Sequence, residues 1–197
     1  MNYQVAHFWF YKPAAFLTVI AAVGLTFIGL SAPLFYLIVA GVIFPVAVSM
    51  RLHVLKEGGR SFLHSDSEEW TVFVNGIPVR ERRAALKNPA FATLARLRAF
   101  YLRAFSVKLV IQPAAMALLF WQVWQRPSDP LVLTVSTLLV AADIWLMAGT
   151  LRKLRAVKAG QWEIASQQNG DGSAWHMAFF HRQAGNKPAL ASLLSLA

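Results

Sequence analysis

Two long apolar stretches, separated by a polar middle, dominate the pattern of residues along this chain. The first carries no charged side chain over residues 13–50, and a single helix needs only about 20 residues to cross a bilayer. Gly29 and Pro33 lie near its centre, where they favour a turn. The pattern therefore predicts two spans, at residues 14–30 and 33–50. A re-entrant hairpin that enters and leaves by the same face is the alternative for this stretch.

The second apolar stretch predicts another pair of spans, at residues 104–125 and 131–151. Prolines at 127 and 130 allow neither helix to continue through the short connection between them. The sequence thus predicts an all-α integral membrane protein with four transmembrane helices arranged as two hairpins. The predicted segments are an aromatic N-terminus with the first hairpin (1–50), a basic cytoplasmic loop (51–103), the second hairpin (104–151) and a cytoplasmic tail (152–197).

The distribution of positive charge predicts how the spans are oriented. The chain has 19 Lys and Arg against 9 Asp and Glu. Ten of the basic residues lie in the loop 51–103 and six in the tail 152–197, whereas the two connecting turns hold only Arg126. Lys and Arg are enriched on the cytoplasmic side of membrane proteins, so both termini are expected inside. The same rule explains the net charge of +10 without a nucleic-acid partner.

The absence of cysteine and of Asn-x-Ser/Thr sequons fits a bacterial inner-membrane protein. Without cysteine, thiol catalysis, disulfides and iron–sulfur clusters are excluded. The sequence contains no glycine-rich phosphate loop, and no two histidines have the i, i+4 spacing of a helical metal site. We therefore predict no catalytic residue, no cofactor and no metal, and a protein that is not an enzyme.

The central loop contains the pattern of a β-hairpin over residues 69–80. Apolar and polar residues alternate there, and Asn75-Gly76 is a strong signal for a two-residue hairpin turn. Pro78 restricts the returning strand to an edge. Because an isolated hairpin is only marginally stable, we expect it to pack against another part of this chain, a second copy or a partner.

The flanks of the second hairpin are basic. Asn88-Pro89 resembles the start of a helix that continues into the third span, and a basic segment also follows the fourth span. These flanks either bind anionic lipid headgroups or a partner, or simply stop translocation. The residues concerned are Arg96, Arg98, Arg103, Arg152, Lys153 and Arg155.

The polar C-terminal tail offers weaker signals than the flanks. A short helix is predicted within residues 174–183. The apolar end, residues 188–197, is expected to dock on a protein surface or at the membrane interface, because it is too short to span the bilayer.

Asp143 is the acidic residue inside a predicted span, and Lys108 is the basic one. An intramembrane charge is costly and needs a partner, so we predict that the two pair within the second hairpin. The pair would act either as a lock that fixes the helix register or as a proton or ion relay. Gln112 and Gln122 are candidates for hydrogen bonds between helices.

The sequence favours a non-enzymatic structural or scaffolding subunit of a multiprotein bacterial inner-membrane assembly, of the secretion or conjugation type. Its expected partners are membrane lipids and other membrane subunits or copies of itself. Small residues in the first two spans permit close helix packing, which suits such a role. The alternative is a small oligomeric transporter or channel, coupled to ions or protons, that uses Asp143.

Overall fold

The computed structural model describes residues 3–4, 13–63, 67–74, 77–85, 88–126, 129–168, 174–181 and 186–195. The chain divides into two compact units. The helical unit comprises residues 8–48, 98–161 and 194–197, and the sheet unit comprises residues 1–7, 49–97 and 162–193.

Long apolar helices make up most of the described chain, as the sequence predicts. A five-residue π-helical turn, Val39–Ile43, joins α2 to α3 without a break. The α-helices are α1 (Pro13–Phe27), α2 (Ala32–Ile38), α3 (Phe44–Glu57), α4 (Leu94–Trp124), α5 (Pro130–Ala159) and α6 (Ala189–Leu194).

Three of these helices are long and apolar enough to cross a membrane. They are the continuous helix Ala32–Glu57, α4 and α5. The fourth apolar helix, α1, is shorter, with its apolar part at Phe16–Phe27. The chain is therefore a membrane protein by its helices, and the crossing of α1 stays a prediction.

Local sequence signals explain where these helices begin and end. Asp129 caps α5: its Oδ1 accepts hydrogen bonds from the amides of Leu131 (3.0 Å) and Val132 (3.3 Å), and Pro130 occupies the first turn. The end of α3 is fixed by Gly59, whose φ of 62° lets the Arg60 amide reach back into the last turn.

Two sheets add β-structure beyond the one β-hairpin that the sequence predicts. The strands are β1 (Tyr3–Gln4), β2 (Ser61–Leu63), β3 (Ser67–Val74), β4 (Ile77–Ala85), β5 (Pro89–Phe91), β6 (Glu163–Gln168), β7 (Ala174–Phe180) and β8 (Lys187–Pro188). The first sheet has the order β1-β4-β3, and the second has the order β2-β5-β7-β6 with β8 also paired to β7.

The predicted hairpin is confirmed by the antiparallel pairing of β3 with β4. Val74 pairs with Ile77, which leaves the two-residue connection expected from the sequence. Asn75 and Gly76 themselves lie outside the described residues. At Pro78, β4 pairs only with β3, because β1 reaches no further than Ala84 and Ala85 of β4.

The second sheet corrects two predictions. Residues 174–180 form strand β7 instead of a short helix, because they pair along their length with β6. Asn88-Pro89 does not start a helix: Pro89 begins β5, and α4 begins at Leu94 after Thr93, whose Oγ1 accepts from the Arg96 amide (3.4 Å).

Asn88 is instead a buried link within the sheet unit. Its Nδ2 donates to the Ala178 carbonyl, and its Oδ1 accepts from the Leu190 amide (3.4 Å). Leu190 is the second residue of the apolar helix α6, in which Leu193 is fully buried. The apolar end of the tail therefore packs on the chain's own surface.

Candidate functional site

The buried face of α4 carries two polar side chains. Its buried positions recur every three or four residues, which places them on one side of the helix. In the helical unit these positions are Tyr101, Phe105, Lys108, Gln112, Ala115 and Leu119. Lys108 and Gln112 therefore sit in a row of otherwise apolar or aromatic residues.

A matching row on α5 contains Asp143 and Thr150, which are two helical turns apart. Gln112 of α4 forms a hydrogen bond with this row, because its Nε2 donates to Thr150 Oγ1 at 3.1 Å. The Thr150 hydroxyl donates in turn to the Leu146 carbonyl of its own helix (3.1 Å). This contact confirms that Gln112 makes a hydrogen bond between helices.

Tyr36 of α2 completes the group that we call the mid-helix polar cluster: Tyr36, Gln112, Asp143 and Thr150. The Tyr36 hydroxyl interacts with the Gln112 side chain and lies within electrostatic range of the Asp143 carboxyl. Three of the buried oxygen atoms have no hydrogen-bond partner in the described part of the chain: Tyr36 Oη, Gln112 Oε1 and Asp143 Oδ2. Burying such a group without a partner costs several kcal/mol in an apolar environment, so their grouping needs an explanation.

Two irregular helical segments flank this cluster in sequence. The π turn Val39–Ile43 begins one turn after Tyr36, and the Phe44 amide closes it on the Val39 carbonyl. Pro45, which follows, lacks an N–H and would crowd the carbonyl four residues earlier in a regular helix. Pro113 directly follows Gln112 within α4. Such breaks in regular hydrogen bonding frequently accompany functional sites in helices.

The structure does not bring the predicted pair of Lys108 and Asp143 together. Lys108 is buried, with 4% of its surface exposed, and its Nζ donates to the Ser195 carbonyl within the helical unit. Asp143 Oδ2 has no hydrogen-bond partner among the described residues. A Lys108 ammonium that binds a backbone carbonyl is a reasonable solution for a buried cation.

A second polar group, which we call the turn cluster, joins the α1–α2 turn to the end of α4. It consists of Ile28, Gly29, Ser31, Ala32, Gln122 and Arg126. Gln122 Nε2 donates to Ser31 Oγ (2.6 Å), and its Oε1 accepts from the Ala32 amide (3.2 Å). Gln122 thereby satisfies a free amide at the start of α2, which confirms its predicted role between helices.

Arg126 closes the turn cluster over Gly29. Its Nη1 donates to the Ile28 carbonyl (2.6 Å). Gly29 has a φ of 87°, and a Cβ at this position would lie 2.5 Å from Arg126 Nη1. The close approach of the guanidinium and the left-handed backbone both require glycine here.

The basic residues predicted to contact lipid or a partner are mostly exposed. Arg96, Arg103 and Arg155 are exposed, and Lys153 is half-buried. Arg98 is also exposed, but its guanidinium donates to the Lys158 carbonyl in the last turn of α5, where a cation is favourable. The exposed Arg152 contacts the Ala148 carbonyl of its own helix (3.4 Å).

Sequence reasoning missed Tyr36 and Thr150 as members of the mid-helix polar cluster. The spacing of seven residues between Asp143 and Thr150 was available as a signal, because it puts both on one face of α5. Tyr36 had no such local signal, since its neighbours lie more than 70 residues away in the chain.

Comparison with protein-family models, with curated proteins and with solved structures finds no match for this chain. Among the described residues, no group of three or more His, Asp or Glu side chains is placed to hold a metal ion.

Proposed function

We propose that this chain is a non-enzymatic structural subunit of a multiprotein assembly in the bacterial inner membrane, of the secretion or conjugation type. In this proposal α1 crosses the bilayer together with the three longer helices, and both basic segments face the cytoplasm. The partners are membrane lipids and other membrane subunits or copies of this chain.

The observation that carries the proposal is the open surface of α5. Only 11% of the residues in its most apolar 18-residue stretch are buried in the chain itself. Leu138 and Trp145 are among its large exposed side chains, and Ala141 and Ala142 are small exposed ones. Small residues on an outward face allow another helix to approach closely, which lipid alone does not require.

The sheets support a common side for the two basic segments. β2 and β5 come from the loop 51–103, and β6, β7 and β8 come from the tail 152–197, yet all five belong to one sheet. Segments that share a sheet lie on the same side of a membrane. The turn cluster joins the α1–α2 turn to the end of α4, next to the α4–α5 turn. This contact favours a first hairpin that crosses the membrane as fully as the second.

The β3–β4 hairpin supports a protein partner. It forms a sheet separate from the five-stranded one, and within the described residues β3 pairs only along the side that faces β4. An eight-residue strand with a free edge can add a strand from another chain. The register places Glu68 opposite Arg83 and Glu69 opposite Arg82, a pairing of opposite charges that favours this hairpin.

The test is purification of the tagged protein from its native host in mild detergent, followed by mass determination of the intact complex. The proposal predicts foreign membrane subunits in a fixed ratio. Ala142→Leu, which enlarges the exposed face of α5, should lower the yield of these subunits without unfolding the chain. Leu138→Met, a volume-conserving change on the same helix, is the control. A monomer or a pure homo-oligomer would contradict the proposal.

A second candidate is a small oligomeric transporter or channel that is coupled to ions or protons and uses Asp143. The mid-helix polar cluster favours it, because Asp143 shares a face of α5 with Thr150, to which Gln112 of α4 donates, and lies within electrostatic range of Tyr36. Flux of protons or alkali cations into proteoliposomes that depends on Asp143 would support this function. Equal flux in wild type and in Asp143→Asn, or in wild type and in empty liposomes, would contradict it.

A further inference from the structure

We propose that Arg152 and Arg155, near the C-terminal end of α5, bind the phosphate of one anionic phospholipid, whose acyl chain lies along Trp145 and Ala148. The inference rests on α5 crossing the membrane, as in the proposed function, but not on an assembly with other subunits. It narrows the six basic candidates of the two flanks to two residues and names the class of lipid that they select.

Trp145, Ala148, Arg152 and Arg155 form one outward row on α5. Their spacings of three, four and three residues place them on the same face of the helix. All four side chains are exposed. The buried Thr150 lies on the other side of the helix, where α4 contacts it. The outward face of α5 is therefore open to the membrane.

The two arginines of this row have guanidinium donors left for a ligand. In the described part of the chain, neither forms an ion pair with a carboxylate. The Arg152 Nε contacts the Ala148 carbonyl of its own helix at 3.4 Å, which leaves its two terminal nitrogens available. Arg98, by contrast, donates to the Lys158 carbonyl. A guanidinium with free N–H groups matches the oxygen atoms of a phosphate through parallel hydrogen bonds.

The apolar part of the row matches the hydrocarbon layer of one leaflet. Asp143 is the one charged residue within 130–151, so Arg152 is the first cation after the apolar part of α5. Trp145, which is 65% exposed, lies about 10 Å deeper at helical rise. A leaflet contributes about 15 Å of hydrocarbon. A phospholipid therefore fits both parts of the row, whereas a soluble anion or an acidic peptide fits only the arginines.

Charge favours an anionic lipid over a zwitterionic lipid and over a second copy of this chain. The choline group of phosphatidylcholine would add a third cation beside the two guanidinium groups. A symmetric dimer through this face would bring each arginine close to its own copy, and like charges repel. Ala142 lies about 80° around α5 from Arg152, so a partner helix on that side and a lipid on this one can bind together.

The experiment measures quenching of Trp145 by brominated lipids in the full-length protein, reconstituted into phosphatidylcholine vesicles. Bromine quenches tryptophan fluorescence on contact, so quenching reports a lipid that lies against the side chain. The vesicles contain increasing mole fractions of either phosphatidylglycerol or phosphatidylcholine with brominated acyl chains. The chain has seven tryptophans, so every variant is measured with and without Trp145→Phe, and the difference is assigned to Trp145.

The variants are Arg152→Gln, Arg155→Gln and the matched control Arg60→Gln, which removes the same charge from an exposed residue of the sheet unit. In wild type, half-maximal quenching should need a lower mole fraction of brominated phosphatidylglycerol than of brominated phosphatidylcholine. Each variant in the row should raise that phosphatidylglycerol fraction about fivefold, the effect of losing one basic residue near an anionic headgroup. Arg60→Gln should match wild type.

Equal quenching by the two lipids in wild type would overturn the proposal. A shift in Arg60→Gln as large as in the row variants would also overturn it, because the selectivity would then follow from net charge alone. Quenching by neither lipid would show that protein covers Trp145, and this outcome too would overturn it. None of these outcomes depends on co-purifying subunits, so a failure here is distinct from a failure of the proposed assembly.

Discussion

Two polar clusters lie in the same helical unit, and they differ in whether their polar atoms have hydrogen-bond partners. In the turn cluster, both ends of the Gln122 amide are bonded and the Arg126 guanidinium binds a backbone carbonyl. In the mid-helix polar cluster, three buried oxygen atoms stay without a partner in the described chain. A hydrogen-bond network whose members are all paired stabilises a fold. Buried polar groups without partners destabilise it, unless a ligand binds to them. The first cluster is therefore structural and the second is the candidate site.

The largest expected loss of stability is at Gly29, which belongs to the structural turn cluster. Gly29→Ala forces a side chain into the left-handed region, which costs about 1–2 kcal/mol. It also displaces the Arg126 guanidinium and its hydrogen bond to Ile28, worth about 1.5–3 kcal/mol. We expect a total loss of about 2.5–5 kcal/mol in the free energy of unfolding, measured by denaturant titration in detergent.

Gly24→Ala is the matched control for this change, because a Cβ there meets no atom within 4 Å. It should be neutral or stabilise by up to about 1 kcal/mol through helix propensity. Equal losses from both variants would show that Arg126 does not constrain Gly29.

The next effect contrasts the two clusters directly. Gln122→Leu removes two hydrogen bonds and should lower the free energy of unfolding by about 1–2 kcal/mol. Tyr36→Phe removes a hydroxyl that has no partner, so we expect a change below about 0.5 kcal/mol or a slight gain. Unfolding of the two variants under one set of conditions checks both values. A larger loss from Tyr36→Phe than from Gln122→Leu would reverse the assignment of the clusters.

Thr150→Val tests whether Thr150 belongs to the mid-helix polar cluster. It keeps the shape of the side chain but leaves the Gln112 Nε2 without its acceptor, at a cost of about 1 kcal/mol. Thr137→Val is the control, since the exposed Thr137 hydroxyl bonds only to the Leu133 carbonyl of its own helix. Indistinguishable melting temperatures for the two variants would remove Thr150 from the cluster.

The smallest expected effect is at Ser136, which is buried and unpartnered and lies seven residues before Asp143 on the same face of α5. Ser136→Ala should raise the free energy of unfolding by about 0.5–1 kcal/mol, because it removes a polar group buried without compensation. A melting curve shows this as a small upward shift. A clear loss of stability would indicate that Ser136 has a partner and that unpartnered atoms alone do not mark a site.

Local signals in the sequence were sufficient for the existence of the long apolar helices but not for all of their ends. The predicted start of the fourth span at residue 131 is close to the start of α5 at Pro130, whereas its predicted end at 151 falls short of Ala159, because the helix continues through the basic flank. The hairpin β3–β4 was also predictable, since its pairing spans only a short turn.

The larger sheet and the candidate site depend on contacts that no local pattern reveals. Phe91 pairs with His176, so β5 takes residues that resemble a helix start and places them in a sheet. Asn88 caps no helix because Ala178 and Leu190 satisfy its side chain. The local acid–base pattern likewise suggested Lys108 for Asp143, whereas the Lys108 ammonium donates to the Ser195 carbonyl, 87 residues away in the chain.

Under the proposed function, the two helical turns lie outside the inner membrane and the two basic segments lie in the cytoplasm. The chain has no cysteine, so single cysteines can be introduced without background. Phe27→Cys and Gln125→Cys place a thiol at exposed positions beside the two turns, and Arg60→Cys and Gln161→Cys place one at exposed positions in the basic segments.

The deciding measurement is labelling of these four variants with a membrane-impermeant maleimide in intact cells that have a permeable outer membrane. The account predicts labelling at positions 27 and 125 in intact cells, and at 60 and 161 only after the inner membrane is permeabilised. Labelling at 125 but not at 27 would show that the first hairpin does not cross. Labelling at 60 or 161 in intact cells would contradict the cytoplasmic placement of the sheets.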